Sequence, residues 1–275
     1  MSAPMEQEAS LVSKGLLGDF IPENEKDFIN LASYVTIITG ALVALILQFI
    51  RTPYGRYGSS SWGVLIPSRV AWLIQELPAL FVPVSLIFCT DSLKKSATAN
   101  QVLLSAFIVH YFQRALIYPC LIKGGKPTPF VPFFLALVYC TFNGYLQARF
   151  LLQYADYPNH WVLSPNFIIG LLLFGVGMFV NIHSDHVLRN LRKPGETGYK
   201  IPRGGMFEYV SGANFFGECL EWTGFAIACW SLPALAFCIF TWLNTGPRAF
   251  HHHQYYLEKF DDYPKERKAL LPFLM

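Results

Sequence analysis

The chain has 275 residues, of which 53% are hydrophobic, 16% aromatic and only 14% charged, with a net charge of +3. A soluble domain carries about 25% charged residues, so this composition excludes a disordered chain, a coiled coil and an ordinary water-soluble enzyme, and points to a membrane protein. The positive charge is too mild to imply a nucleic-acid partner.

From the N-terminus, Met1 to Asp27 is polar and acidic and lacks the apolar core of a signal peptide, so residues 1–29 read as a polar acidic N-terminal segment. No internal repeat or Gly/Ser-rich linker divides the remainder, and residues 30–275 read as one membrane domain. A crossing helix needs about 20 mostly apolar residues. Such stretches run over Asn30–Ile50, Ile66–Cys89, Asn100–Ile122, Pro129–Gln153, Asn166–His183 and Val210–Trp230. A further one, Leu232–Phe250, follows the turn Ser231-Leu232-Pro233, where proline blocks helix continuation. The predicted fold class is all-α: a polytopic membrane protein with seven transmembrane helices.

Loop charges orient these spans. Arg51, Arg56 and Arg69 lie in the first loop, Lys123 and Lys126 in the third, and Arg189, Arg192, Lys193, Lys200 and Arg203 in the fifth. Arg248, Lys259, Lys265, Arg267 and Lys268 lie in the tail. These alternate segments are expected in the cytosol, with the N-terminus outside and the C-terminus cytosolic; Lys94 and Lys95 in the second loop are a mild exception. The six cysteines form no CxxC pair and read as small buried hydrophobes.

Ionisable groups at membrane depth cost at least about 2.5–3.5 kcal/mol each, so they usually pair or line a cavity. Here they are Glu76, His110, Arg114, Arg149, Glu218 and Glu221, joined by Asn143, Asn181, His183, Asp185 and Asn214. Asn181, Asp185 and Arg189 recur every four residues and share a face if the fifth helix continues past His183, with Arg192 three residues on. Asn214, Glu218 and Glu221 form a second face beside Trp222. Most of this material lies near the expected cytosolic ends. Arginines for phosphates and Asn or Asp for ribose and amides would suit a polyanionic ligand such as NADPH. Topology signals and contacts to anionic lipid read the basic loops as well.

Glu76 and Tyr111 sit deeper. A carboxyl and a phenol can polarise an enone carbonyl and stabilise the enolate that forms when hydride arrives. The same two residues also read as a hydrogen bond that locks two helices. No GxGxxG follows a strand, so a Rossmann site is not supported. His251, His252 and His253 point around a helix and cannot converge on one ion, so no metal is assigned and an anion contact at the rim is expected instead.

Several of these runs resemble the steroid 5-alpha-reductases. They are Asn181-Ile182-His183-Ser184-Asp185, Leu188-Arg189-Asn190-Leu191-Arg192-Lys193-Pro194-Gly195, and Tyr199 through Val210. Ser211 through Phe215 and Glu218 through Trp222 continue the likeness, with Gln75-Glu76-Leu77-Pro78 and His110 through Arg114 upstream. Ser231 through Phe237, Arg248 through His253 and Asp262 through Lys265 are especially close to the type 2 branch. The resemblance implies a seven-helix membrane reductase that uses NADPH on 3-oxo-Δ4 steroids entering from the lipid, with no obligate protein partner. By that resemblance Glu76 and Tyr111 are catalytic and hold the steroid 3-carbonyl, and Trp72 and Trp222 join them as substrate-binding residues. The cofactor would be held by Arg114, Asn181, Asp185, Arg192, Tyr199, Asn214, Glu218, Arg248, His252 and Tyr256. The implied location is the endoplasmic reticulum membrane in a eukaryote and the inner membrane in a bacterium. Lys123-Gly124-Gly125-Lys126 and Gln113 depart from the family pattern and suggest a divergent, microbial relative. Two related chemistries, reduction of a polyprenol or of an enoyl thioester, fit the same framework. A non-catalytic sterol binder and a membrane methyltransferase with a similar cytosolic cavity are the other options. The loops around Arg56, Lys126 and Tyr199 are expected to close over the cofactor.

Overall fold

The computed structural model describes residues 24–53, 55–193, 195–196 and 198–274. Residues 1–23 of the expected N-terminal segment, and Pro194, lie outside the described residues. Seven long helices occupy the described residues: α1 Glu25–Ile46, α2 Ser68–Cys89, α3 Thr98–Phe112, α4 Phe130–Arg149, α5 Pro165–Asn190, α6 Ala213–Cys229 and α7 Leu232–Lys259. A π-helical turn, Gln113–Ile117, extends α3 into a last turn, Tyr118–Leu121, and another, Phe150–Tyr154, closes α4. Five of the seven, with α3 and α4 counted through their extensions, are long and apolar enough to cross a membrane. Large apolar side chains stand exposed along them, among them Ile38, Phe81, Leu135 and Phe179. In water such a surface would cost far more than a folded chain can offset; in hydrocarbon it costs nothing, and the chain is an integral membrane protein. α6 has 17 residues, and the second half of α7 is polar, so neither reads as a simple apolar span.

Local chemistry sets the helix ends. Asn24 caps α1 by accepting the Asp27 N–H at 2.9 Å, so α1 starts five residues before the stretch expected from hydropathy. Ser164 caps α5 through the Phe167 N–H at 3.2 Å, with Pro165 at the first helical position. α6 ends on Trp230, which takes the left-handed conformation at φ 45°, and α7 restarts at Leu232 with Pro233 in its first turn. The break expected at Ser231 is therefore where the chain reverses. α7 then runs nine residues past the expected Phe250.

Close backbone approach pairs the helices, as small residues allow where lipid removes the usual hydrophobic drive. A Cβ added to Gly177 of α5 would lie 2.2 Å from the Glu221 backbone nitrogen on α6, and one added to Gly217 of α6 would lie 2.4 Å from that of Asn181 on α5. Gly170 and Gly224 repeat the contact one heptad away. Gly144 of α4 meets the backbone of Ala79 on α2, and Gly40 of α1 that of Phe240 on α7. Between these pairs Phe107, Phe174, Trp222, Phe225 and Phe237 fill a shared core.

The C-terminal tail is stitched to the segment before α6. Lys268 N–H donates to Tyr209 O at 2.9 Å, and the Ser211 and Gly212 N–H groups donate to Lys268 O and Ala269 O at 2.8 and 3.0 Å. Arg267, 1% exposed, donates to Pro202 O at 2.9 Å and to the Glu208 carboxylate at 3.2 Å. Glu208 also accepts from the Gly204 N–H at 2.6 Å, the main reason its pKa lies below the usual carboxylate range. A two-residue antiparallel ladder pairs β1 Leu65–Ile66 with β2 Thr128–Pro129 and joins the first and third loops. Cys89 and Cys120 are exposed, unlike the other four cysteines, which are buried as expected.

Candidate active site

Three side chains within one and a half turns of α3 organise the site. His110 Nδ1 meets Glu221 Oε1 of α6 at 2.7 Å, with both groups buried. Arg114 donates to Asp185 of α5 at 2.7 Å and to Glu218 of α6 at 3.3 Å. Tyr111, between them, lies against Phe107 at 4.8 Å and is stacked on Trp222 at 6.1 Å. The π-helical turn at Gln113 shifts the residues that follow it and leaves Arg114 aimed between α5 and α6.

Glu76 of α2 belongs to the electrostatic surroundings of the Tyr111 hydroxyl, together with Cys140 and Tyr139, and Asn143 faces it. Glu76 and Tyr111 share no hydrogen bond. Glu76 accepts instead from Gln75 Nε2 at 3.4 Å and from Cys140 Sγ at 3.6 Å. The carboxyl and the phenol thus face a common region without closing on each other, as a pair that grips a third group would.

The two expected polar faces meet here. α5 continues to Asn190, so Asn181, Asp185 and Arg189 do share a face; Arg192 lies past its end and is exposed. Asn181 Nδ2 donates to Asn214 O at 3.0 Å, and the Asn214 side chain belongs to the surroundings of the Asp185 carboxylate. The Gly177 and Gly217 contacts bring the two backbones close enough for that bond. Trp72 lies 4.9 Å from the Arg114 guanidinium and 5.0 Å from Tyr118, whereas Trp222 lies against His110 and Tyr111. Trp72 and Trp222 therefore flank different parts of the cluster.

At the polar end of α7 a second group gathers. Arg56 from the first loop lies over the rings of Tyr199, Tyr255 and Tyr256 at 5.1, 4.4 and 4.7 Å, and donates to the Tyr256 hydroxyl at 3.0 Å. A small hollow beside it is lined by Thr52, Tyr57, Arg248, His251 and His252. Arg248 lies 4.9 Å from the Phe215 ring. The three histidines diverge: His251 uses its backbone carbonyl to accept from Tyr57, His252 packs between Tyr57 and Phe215, and His253 binds Ser211 at 2.7 Å. Burial, followed by the charges of Arg56 and Arg248, holds His252 neutral, well below the usual histidine range.

Several buried polar atoms around these two groups have no partner: Thr52 Oγ1, Arg56 Nη1, Ser184 Oγ, Arg189 Nη1 and His252 Nδ1. Buried groups of this kind are normally satisfied, so a concentration of them at one end of a bundle marks where a polar ligand goes. Two of the five are guanidinium nitrogens and two are hydroxyls, a set suited to phosphate and ribose. Arg56, Tyr57, Tyr118 and Arg189 were not among the site residues read from sequence. In the sequence Arg56 marks a loop charge and a loop expected to close over the cofactor, but not a cofactor ligand, because its aromatic cage assembles from chain segments about 140 and 200 residues away.

An integral membrane protein with buried ion pairs on three helices beneath a cationic, aromatic rim is the profile of a membrane enzyme with a large polar cosubstrate. Comparison with known proteins sharpens this. Residues 126–275 match the family model of 3-oxo-5-alpha-steroid 4-dehydrogenases. The chain is 51% identical over 258 residues to the type 1 enzyme of Rattus norvegicus, covering 93% of this chain and all of that one. It is 49% identical over 255 residues to the type 1 enzyme of Bos taurus (91% and 98%) and 47% identical over 247 residues to the type 2 enzyme of Homo sapiens (89% and 96%). The chain belongs to the steroid 5-alpha-reductase family and is an oxidoreductase, as its resemblance implied; both types stand among its relatives.

Proposed function

We propose that this enzyme reduces the Δ4 double bond of 3-oxo-Δ4 steroids to 5α-reduced 3-oxosteroids with NADPH. The observation that carries the reading is the unclosed Glu76–Tyr111 pair beneath a rim rich in unpartnered donors. The names of the relatives supply the substrate class.

In this reading the steroid 3-carbonyl sits between Glu76 and Tyr111. As C5 receives hydride, negative charge moves through C4 to O3, and hydrogen bonds preset at that oxygen lower the barrier. A proton then adds at C4. Bound NADPH supplies the hydride. Trp222 fixes the Tyr111 ring, and the His110–Glu221 pair fixes Trp222 through a ring contact of 4.5 Å. Arg114, held by Asp185 and Glu218, keeps the end of the cavity cationic, and Asn181 and Asn214 present amides at the same level. Arg192, Tyr199, Arg248, His252 and Tyr256 complete the cofactor rim, joined by Arg56 and Arg189. Trp72 and Trp222 form walls for a steroid that enters from lipid.

The topology that suits this has all seven helices in the membrane and the cofactor rim and C-terminus in the cytosol, in the endoplasmic reticulum of a eukaryote. The lysines of the second loop accord with it. Lys94 pairs with Asp156 at 2.5 Å and Lys95 caps Thr90 O at 2.9 Å, so both charges are engaged locally.

Glu76→Gln and Tyr111→Phe test the chemistry. Each is expected to lower kcat by about 10²–10³-fold, the usual cost of one such donor, while NADPH affinity and thermal stability stay near wild type. Full turnover in both variants would overturn the catalytic assignment.

A further inference from the structure

A buried amide stands beside the carboxyl–phenol pair. Asn143 of α4 is 2% exposed and precedes Gly144, where an added Cβ would lie 3.1 Å from the Ala79 backbone on α2. That close approach brings α4 level with Glu76, which lies three residues before Ala79. Cys140, one turn before Gly144, accordingly reaches the Glu76 carboxyl at 3.6 Å. Asn143 borders the Tyr111 hydroxyl of α3, together with Glu76, Cys140 and Tyr139.

A backbone group fixes which way the amide points. Pro233 O, in the first turn of α7, can only accept, so the Gln147 atom 2.9 Å from it is Nε2. The second hydrogen of that nitrogen goes to Asn143 at 3.1 Å, so the Asn143 atom that meets it is Oδ1. Gln147, one turn further along α4, is itself 2% exposed, which keeps water from competing for this tether. Nδ2 is therefore the free end of Asn143, and it has no hydrogen-bond partner among the described residues. The Tyr139 hydroxyl, on a ring stacked on Phe240 at 4.1 Å, is a second buried polar atom there without a partner. Buried donors are normally satisfied, and leaving one unmade is costly. Tying α4 to the start of α7 needs only Oδ1 and Gln147; it gives Nδ2 nothing to do.

We infer that Asn143 is a positioning residue for the reduction: its Nδ2 donates to Tyr111 Oη and so turns the phenol proton toward the steroid 3-oxygen. The inference rests on the reading of Glu76 and Tyr111 given above. A phenol oxygen both donates and accepts, and its one hydrogen rotates to whichever acceptor is offered. A donor held at Oη occupies the accepting side and leaves the hydrogen for O3. It also polarises the O–H bond, because hydrogen bonds in a chain strengthen one another where the dielectric is low. As charge builds on O3, the phenol gives up part of its proton and Oη becomes a stronger acceptor. The Asn143 bond strengthens with it, so its effect falls on the transition state more than on steroid binding. No proton passes through Asn143 itself.

A double-mutant cycle tests this, with the full-length protein in nanodiscs, saturating testosterone and NADPH, and product measured by mass spectrometry. Asn143→Leu has the same branching at Cγ and no donor. It is expected to lower kcat by about 5–10-fold, the worth of one neutral hydrogen bond, with the steroid KM and NADPH affinity within about twofold of wild type. In a Tyr111→Phe background, where Oη is gone, the same substitution should change kcat by less than about twofold. Asn143→Thr, whose hydroxyl can bond its own helix backbone, takes its place in the cycle if the leucine variant does not fold. Losses that multiply, a loss confined to KM, or full kcat in the Asn143 variant would overturn the proposal and leave the Glu76–Tyr111 chemistry standing. Full turnover in Tyr111→Phe alone would overturn that chemistry and the role of Asn143 with it.

Discussion

Residues that carry charge into an apolar run announce themselves. Glu76, Arg114, Asp185 and Glu218 stand out against the surrounding hydropathy, and the structure gathers the last three into one buried ion-pair cluster. Tyr111 was legible as the phenol of a carboxyl–phenol pair with Glu76, but its chemistry read equally as a hydrogen bond that locks two helices, and the family likeness favoured the first. Arg56 was legible as part of a loop that closes over the cofactor but not as a ligand of it, because a loop arginine reads as a topology signal until its three tyrosines are placed around it. Its unpartnered Nη1 gives it a testable role. Arg56→Gln should weaken NADPH binding by about 10–100-fold, the value of a charged hydrogen bond of about 1.5–3 kcal/mol, with kcat at saturating NADPH little changed. Unaltered NADPH affinity would confine Arg56 to tying the first loop to α7.

Helices were legible where composition alone decides them and less so where capping or packing does. The apolar cores of α2 to α5 lie where hydropathy puts them. α1 begins early because Asn24, Glu25 and Asp27 make a good helix start out of residues that look like a polar tail. Glu25 is then clamped by Arg149 at 2.7 and 2.6 Å and by the Tyr145 and Tyr154 hydroxyls at 2.5 Å each. The π-helical turns leave no trace in sequence, since they answer to neighbouring helices. The α5–α6 contact was hidden too: Gly170 and Gly177, like Gly217 and Gly224, are seven apart, a spacing that means nothing until the partner helix is known. Gly177→Ala should prevent correct packing of α5 on α6, because the new methyl meets backbone that cannot yield, and overpacking of even ordinary cores costs about 1–3 kcal/mol. Gly175→Ala is the control, since nothing lies within 4 Å of the added methyl. It should be neutral or stabilising by up to about 1 kcal/mol, the helix-propensity difference. The measurement is the thermal midpoint in detergent, and equal stability of the two variants would refute the tight-contact account.

The molecule as a whole has a cationic aromatic rim at the polar end of α7 and a carboxyl–phenol pair deeper in the bundle. The rim brings a pH dependence. Burial, then Arg56, Arg248 and His251, keeps His252 well below its ordinary pKa, and burial lowers His251 and His253 as well. The unfolded chain therefore binds more protons than the folded one as the pH drops through about 6.5, and stability falls with it. The thermal midpoint should decline between about pH 7.5 and 5.5, a window above the ordinary carboxylate range, and His252→Gln should flatten that decline. An identical slope in the variant would remove His252 as the source. Membership of the family was legible from motifs in the C-terminal half, which is also where the family model matches.

The central claim is that hydride reaches steroid C5 from NADPH at the Glu76–Tyr111 pair. It is tested most directly by giving the purified protein, in nanodiscs, testosterone and NADPH deuterated at C4 on each face in turn, and locating the label by mass spectrometry and NMR. Deuterium at the 5α position from one face only is the predicted result. Unreduced testosterone in the presence of folded, NADPH-binding protein, or a product labelled elsewhere, would contradict it.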